Sequence, residues 1–202
     1  MVDSFRAAVT AARRQDGLYF AALLSQQRIL DAISKASGTL EGWIYTPAVT
    51  VWVFLSQCLS ADHSCRDAVA RLLAWRVSRG LRSCSADSSA YCTARDHLPE
   101  QACRQLMRDA GHETEAQAPT DWRWKGRRAL LGDGSTITMP DTPENQAEYP
   151  QQPGQAPGCG FPIARIVVVF SLAVGSVLEA AIGPYYGKRT GENSLLRTLH
   201  AT

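Results

Sequence analysis

The feature that most constrains this sequence is an aspartate, Asp133, that stands between two glycines inside the stretch Trp124–Pro143. An apolar run at positions 129–131 precedes it, and this order predicts a short buried strand that delivers a carboxylate to a tight turn. Ser135–Met139 then alternates polar and apolar residues, as a half-buried strand does. A carboxylate at a strand end can hold a hard cation such as magnesium. The alternative is a turn aspartate that hydrogen-bonds its own backbone, which is the common role of Asp-Gly pairs.

Two more strands and a helix are predicted downstream. Phe161–Ala173 is a continuous run rich in β-branched residues, which predicts a buried strand. Gly175-Ser176 is a hairpin signal, and Val177–Ile182 is the returning strand. Thr190 is expected to open a helix whose leucines at 195, 196 and 199 face inward. The prolines and glycines of positions 140–162 predict a long irregular loop before the second strand.

The first half of the chain is predicted to be helical. Thr46-Pro47 is a helix start, with a hydroxyl at the cap and proline at the first helical position. A helix from Cys65 to Arg79 follows, and Gly80 is expected to end it. The apolar face of this helix is predicted to consist of Val69, Ala70, Leu73 and Val77.

The opposite face of that helix carries Arg71, Trp75 and Arg79 at intervals of four residues. A tryptophan between two arginines, on a face turned away from the local core, suits a phosphate backbone or a partner surface. The alternative is that Trp75 packs against a neighbouring domain and that the arginines are solvated.

A further helix is expected from about Ser88 to His97, and Pro99 starts another that should end near Gly111. Helix, short turn and helix is the shape of a helix-turn-helix, but a plain three-helix bundle gives the same pattern. The polar segment 113–122 is predicted to be a linker. The predicted organisation is therefore a helical domain over 1–112, the linker, and a second domain over 123–202.

Composition and charge limit the possible partners and the cellular compartment of the chain. The chain has 202 residues and a net charge of +2, which is too small to indicate a nucleic-acid binder by itself. The distribution is more informative, because positions 66–82 hold five arginines and one acidic residue, Asp67. The six cysteines form no C-x-x-C pair, so we expect reduced and mostly buried thiols in a cytoplasmic protein. The longest apolar run, Ile166–Leu178, is too short for a membrane helix, so no membrane partner is expected.

Several separated motifs resemble one family. DGSTITMPDTPENQ, YPQQPGQAPGCGFPIARIV and GPYYGKRTGENSLL resemble the start of the catalytic domain of bacterial insertion-sequence transposases of the DDE type. FLSQCLSADHSCRDAVARLLAW and CSADSSAYCTARDHLPE resemble the helical N-terminal domain of the same family. The resemblance covers roughly Thr46–Thr202.

The resemblance implies an α+β protein, with an all-α helical DNA-binding-type domain followed by an incomplete ribonuclease-H-like domain. It makes Asp133 the first catalytic aspartate and a ligand of Mg²⁺ (or Mn²⁺). The other two catalytic carboxylates would lie beyond Thr202, so the fragment is expected to be inactive alone and to hold metal weakly.

The resemblance also implies partners. The DNA partner would be the terminal inverted repeats of the element, and a second copy of the chain or a full-length transposase would be the protein partner. The helix with Tyr91 and Arg95 becomes a candidate reader of DNA, and Lys188 and Arg189 become candidate phosphate contacts or a solvated pair.

Three functions therefore compete at this point. The chain is an inactive piece of a transposase that cuts and joins DNA, or a DNA-binding or transposase-binding fragment that inhibits transposition. Without the resemblance, it is an α+β interaction protein. Binding to terminal-repeat DNA separates these readings.

Overall fold

The computed structural model describes residues 24–37, 42–156 and 158–199. They form an α+β structure that divides into two compact units, Met1–Leu106 and Met107–Thr202. The sequence also predicts helices around Phe5–Val9 and Ala21–Leu24, and these positions lie almost entirely outside the described residues.

The first unit is helical. Its helices are α1 (Gln26–Ser37), α2 (Pro47–Cys58), α3 (Cys65–Ser78), α4 (Ser89–Asp96) and the beginning of α5 (Glu100–Ala116). One apolar cluster is built on the fully buried Ile29 of α1 and joins α2 and α5. A second cluster is built on Val69, Leu72 and Tyr91 and joins α2, α3 and α4.

Local capping signals place the helix starts where the sequence predicts them. The Thr46 hydroxyl accepts a hydrogen bond from Val49 N–H at the start of α2. The Ser64 hydroxyl accepts from Asp67 N–H at the start of α3. Gly80 follows the end of α3 with a φ of 68°, the left-handed conformation that glycine adopts without steric cost.

The second unit is built on a three-stranded antiparallel sheet in the order β1-β2-β3. The strands are β1 (Leu130–Thr138), β2 (Ile163–Ser171) and β3 (Val177–Pro184), and α6 (Pro143–Glu148) and α7 (Glu192–Leu199) complete the elements. Leu195, Leu196 and Leu199 of α7 pack on Val167 and Ala181 of the sheet. The predicted succession of three antiparallel strands and a helix is therefore confirmed, whereas a ribonuclease-H-like identity stays a prediction.

The local structure around Asp133 differs from the prediction. β1 is one continuous strand in which Asp133 is paired with Val168, so no turn lies there. The strand is also exposed rather than buried, because it is an edge strand of the sheet: Leu130 and Leu131 are each 47% exposed. Pairing of Asp133 with Val168 of β2 holds the Gly-Asp-Gly sequence in the extended conformation.

The predicted helix end at Gly111 is wrong, because α5 continues to Ala116 and takes up the first part of the expected linker 113–122. Gly111 instead lies at a close contact between α5 and β3. A Cβ at this position would overlap the backbone carbonyl of Val177 in β3, so the glycine permits close contact between the helix and the strand. The Ser176 hydroxyl donates to Gly111 O at 3.2 Å across the same contact.

Two smaller expectations also change, concerning the loop of 140–162 and the cysteines. The loop of 140–162 contains α6, which Thr142 caps by accepting from Asn145 N–H at 3.2 Å. All six cysteines are free, but none is fully buried, and Cys58 and Cys159 are exposed. The apolar run Ile166–Leu178 forms parts of β2 and β3 and the turn between them. Within the described ranges, no helix has both the length and the apolar character to cross a membrane.

Candidate functional site

Asp133 lies midway along the edge strand β1, on the face of the sheet that α7 does not cover. Side chains alternate between the two faces of a strand, so Asp133 and Ser135 share this face with their partners Val168 and Ile166. A shallow pocket of about 330 Å³ opens there. Its lining is Asp133, Gly134, Ser135, Ile166, Val168, Phe170, Gly175 and Val177. The carboxylate is thus set on an otherwise apolar surface.

Helix α7 covers the opposite face. A Cβ at Gly132 would touch the side chain of Leu196, and a Cβ at Gly134 would overlap that of Glu192. The two glycines that flank Asp133 therefore let α7 approach the sheet. The Glu192 carboxylate pairs with Arg165 at 3.0 Å and lies on the far side of the sheet from Asp133.

The surroundings of Asp133 do not fit a complete Mg²⁺ or Mn²⁺ site. Such ions take several oxygen ligands. This face supplies one carboxylate and the Ser135 hydroxyl beside apolar side chains, and Asp133 Oδ1 accepts from Gly134 N–H at 2.9 Å. Across the described residues, no three acidic, histidine or cysteine side chains come together as metal ligands. Asp133 can contribute one ligand and no more.

Tyr91, a candidate reader of DNA, is fully buried in the helical unit. Its hydroxyl donates to Gln57 Oε1 at 2.7 Å, and its ring packs against the Tyr45 ring with the centroids 5.7 Å apart. Burial raises the pKa of Tyr91 far above its ordinary value. The side chain therefore cannot contact DNA in this structure, because no surface of it reaches solvent.

Arg95, the second candidate on α4, is held by the same buried contacts. Its Nη1 donates to Gln57 Oε1 at 3.4 Å, and its guanidinium carbon lies 5.9 Å from the centre of the Tyr91 ring. Gln57 itself donates to His63 O at 2.8 Å. Gln57 is thus the residue that ties α2 to α4 and to the turn before α3. This role of Gln57 was not predicted from the sequence, although a single amide side chain near the end of the apolar helix 47–58 is a signal from which it could have been predicted.

The predicted arginine and tryptophan face of α3 is not a free surface. Arg71 pairs with Asp67 at 2.9 Å and donates to the Ser60 hydroxyl at 2.8 Å. Trp75 packs against the cluster of Val69, Leu72 and Tyr91, whereas Val77, predicted to be core, is 40% exposed. Because α2 and α4 contact α3 on different sides, a single apolar stripe does not describe its burial.

Among the basic residues predicted to contact DNA or phosphate, exposed side chains lie at two places. Arg79 and Arg82 are exposed at the C-terminal end of α3, where Arg76 Nε donates to Arg82 O at 2.8 Å and holds the following segment close. In the second unit, Lys188 and Arg189 are exposed in the loop before α7, and Arg189 has a φ of 65°. Of the predicted DNA-binding residues, Arg79, Lys188 and Arg189 are therefore exposed, whereas Tyr91 is buried.

Comparison of the chain with protein-family models, with curated proteins and with solved structures gives no match.

The half-buried Tyr45 of the helical unit predicts a loss of stability in alkali. Burial raises the pKa of Tyr45 to about 12, above the ordinary value of 10.0. The folded unit therefore holds this proton more tightly than the unfolded chain does, so its contribution is complete below pH 10 and falls as the pH rises towards 12. We expect the urea midpoint to fall over this interval, and to fall less in Tyr45→Phe. An equal fall in both proteins would contradict the assignment.

Proposed function

We propose that this chain is a DNA-binding protein of a bacterial insertion sequence, related to the first part of a DDE transposase. One observation carries the proposal. Asp133, which belongs to the motif DGSTITMPDTPENQ, lies at the centre of the first strand of an antiparallel three-strand meander that a helix follows. That order is the one the family resemblance implies, and the carboxylate is exposed on the face that α7 leaves free.

Asp133 is proposed as a single metal ligand, not as a complete catalytic centre. Two-metal cleavage of DNA needs several carboxylates around two divalent ions. The second acidic side chain near this strand, Glu192, lies across the sheet and is paired with Arg165. The proposal therefore assigns to this chain the binding of DNA and derives no cleavage step.

The DNA-binding surface is proposed at the C-terminal end of α3. Arg79 and Arg82 are exposed there, and Asp67, the acidic residue of the segment 66–82, lies in the first turn of α3, at the other end of the helix. Exposed guanidinium groups can bind phosphate oxygens and release counterions from DNA, which makes the affinity depend on salt. The exposed residues of α4, among them Asp96, offer less positive charge than this end of α3.

A salt titration of DNA binding tests the proposal. The probe is a fluorescent duplex with the terminal inverted repeat of the element, compared with a scrambled duplex between about 50 and 200 mM KCl. We expect tighter binding to the repeat and a steep fall of affinity with salt. The double variant Arg79→Ala and Arg82→Ala should weaken binding to both duplexes and reduce the log–log slope by about one for each lost phosphate contact.

Arg71→Ala is the matched control, because Arg71 lies on the same helix but is engaged by Asp67 and Ser60. We expect it to leave the salt slope unchanged. Equal affinity for the two duplexes, or no binding even at 50 mM KCl, would overturn the proposal and favour a protein-interaction role.

A further inference from the structure

Among the described residues, no strand pairs with the outer edge of β1, and the hydrogen-bonding pattern of this edge can be assigned. Leu172 N–H donates to Ala129 O at 3.0 Å, and Met139 N–H donates to Pro162 O at 2.9 Å. Odd-numbered positions of β1 therefore bond to β2, and even-numbered positions direct their N–H and C=O groups away from it. The outward-pointing residues are Leu130, Gly132, Gly134, Thr136 and Thr138.

This edge differs from the other edge of the sheet. Eight of the nine residues of β1 are exposed, and Gly134 N–H is met only by its neighbour, since it donates to Asp133 Oδ1 at 2.9 Å. The start of β3, by contrast, lies against α5, where Arg108 pairs with Glu179 at 2.8 Å. Within the described residues, β1 therefore offers the more open edge. Exposed edges of this kind pair with other strands.

We propose that β1 pairs antiparallel with β1 of a second copy of this chain, about a two-fold axis at Gly134. The two sheets then join into one sheet of six strands. Because the same edge is used by both copies, the contact is isologous and closes as a dimer. This inference is independent of the DNA-binding proposal.

The sequence of β1 is self-complementary about Gly134 and selects this register. Asp133 comes to lie opposite the partner's Ser135, and Leu131 opposite the partner's Ile137, on the free face of the sheet. Leu131 is 47% exposed and Ile137 is 37% exposed, so this pairing removes apolar surface from water. Each carboxylate meets a hydroxyl donor, and all nine residues of the strand are paired.

The neighbouring registers of the pairing between the two β1 strands are less favourable. An axis at Asp133 sets the two Asp133 carboxylates directly opposite each other, which is destabilising. An axis at Ser135 sets Asp133 opposite the partner's Ile137 and extends the ladder to Pro140, which has no N–H to donate. A shift by an odd number of residues sets outward-pointing groups against groups that already bond to β2.

Formation of the dimer breaks one hydrogen bond within each copy and forms new hydrogen bonds between the two copies. Gly134 N–H leaves Asp133 Oδ1 and donates to the partner's Gly134 carbonyl, and the freed carboxylate accepts from the partner's Ser135 hydroxyl. The two Asp133 carboxylates then lie diagonally, roughly 7–8 Å apart, rather than face to face. Glu192 is close to Gly134 on the other face, but its charge is paired with Arg165.

Two opposite substitutions at one exposed position test the register. Ser135→Asp sets a carboxylate opposite the partner's Asp133 twice in each dimer, and Ser135→Lys sets an ammonium group there twice. Sedimentation equilibrium of the whole chain is expected to show a monomer–dimer equilibrium. Ser135→Asp should weaken it by about 2- to 30-fold and Ser135→Lys should strengthen it by a similar factor.

Urea unfolding of the monomers at low concentration is the control, and it should hardly change because Ser135 is exposed. A chain that stays monomeric at all concentrations would overturn the proposal. A dimer that both Ser135 variants leave unchanged, or change in the same direction, would overturn it as well, because the contact would then lie elsewhere.

Discussion

Replacing Tyr91 with alanine should lower the free energy of unfolding of the helical unit by about 3–5 kcal/mol, the range for removal of a buried aromatic side chain. The fully buried ring fills the cluster between α2, α3 and α4, and its hydroxyl satisfies Gln57 Oε1. A small unit has only about 5–15 kcal/mol in total, so a large fraction of its stability would be lost. Hydrogen exchange of the amides in α2 and α3 measures the effect in this unit alone.

Tyr91→Phe separates packing from hydrogen bonding. It keeps the ring and removes the bond to Gln57, whose oxygen still accepts from Arg95 at 3.4 Å. We expect a loss of about 1 kcal/mol, the usual net value of one buried hydrogen bond. If Tyr91 were instead a reader of DNA, Tyr91→Ala would reduce DNA affinity and leave hydrogen exchange in α2 and α3 almost unchanged.

Features of the fold that depend on adjacent residues could be predicted from the sequence. The caps at Thr46 and Ser64 each depend on an N–H three residues away. The leucines of α7 face the sheet as their spacing predicts. The strands β2 and β3 are likewise defined by a β-branched run and a glycine turn. Each of these signals lies within a few positions of the feature that it determines.

The position and surroundings of Asp133 depend on residues far along the chain. Gly132-Asp133-Gly134 is a turn sequence locally, but pairing with Val167–Val169 keeps it extended. The two glycines allow α7, which lies some sixty residues later in the chain, to pack closely on β1. No local sequence pattern predicts this contact.

The same limit applies to the helical candidates. Gln57 precedes Tyr91 by 34 residues and Arg95 by 38, and it draws both away from the surface. Helical periodicity correctly predicted that Tyr91 and Arg95 lie on a helix, but it could not predict which neighbouring residues cover them. The fold class was therefore predictable, whereas the exposure of most candidate site residues was not.

Replacing Gly111 with alanine is expected to have the second large effect on stability. Two contributions of opposite sign determine it. Glycine to alanine inside a helix normally stabilises by about 1 kcal/mol through backbone entropy. Here the added Cβ would overlap the carbonyl oxygen of Val177, a backbone atom that no rotamer change can move. Overpacking of this kind costs about 1–3 kcal/mol, occasionally more. It would also loosen the Ser176–Gly111 hydrogen bond and the Arg108–Glu179 pair.

We therefore expect Gly111→Ala to destabilise the second unit by up to about 2 kcal/mol after the helix gain is subtracted. Hydrogen exchange of the β2 and β3 amides reports it. Gly154→Ala is the matched control in the same unit, because a Cβ there meets nothing within 4 Å. It should be neutral or stabilising by about 0.4–1 kcal/mol through the unfolded state. A stabilising Gly111→Ala would mean that α5 does not approach β3 closely at this position, because only the helix gain would then remain.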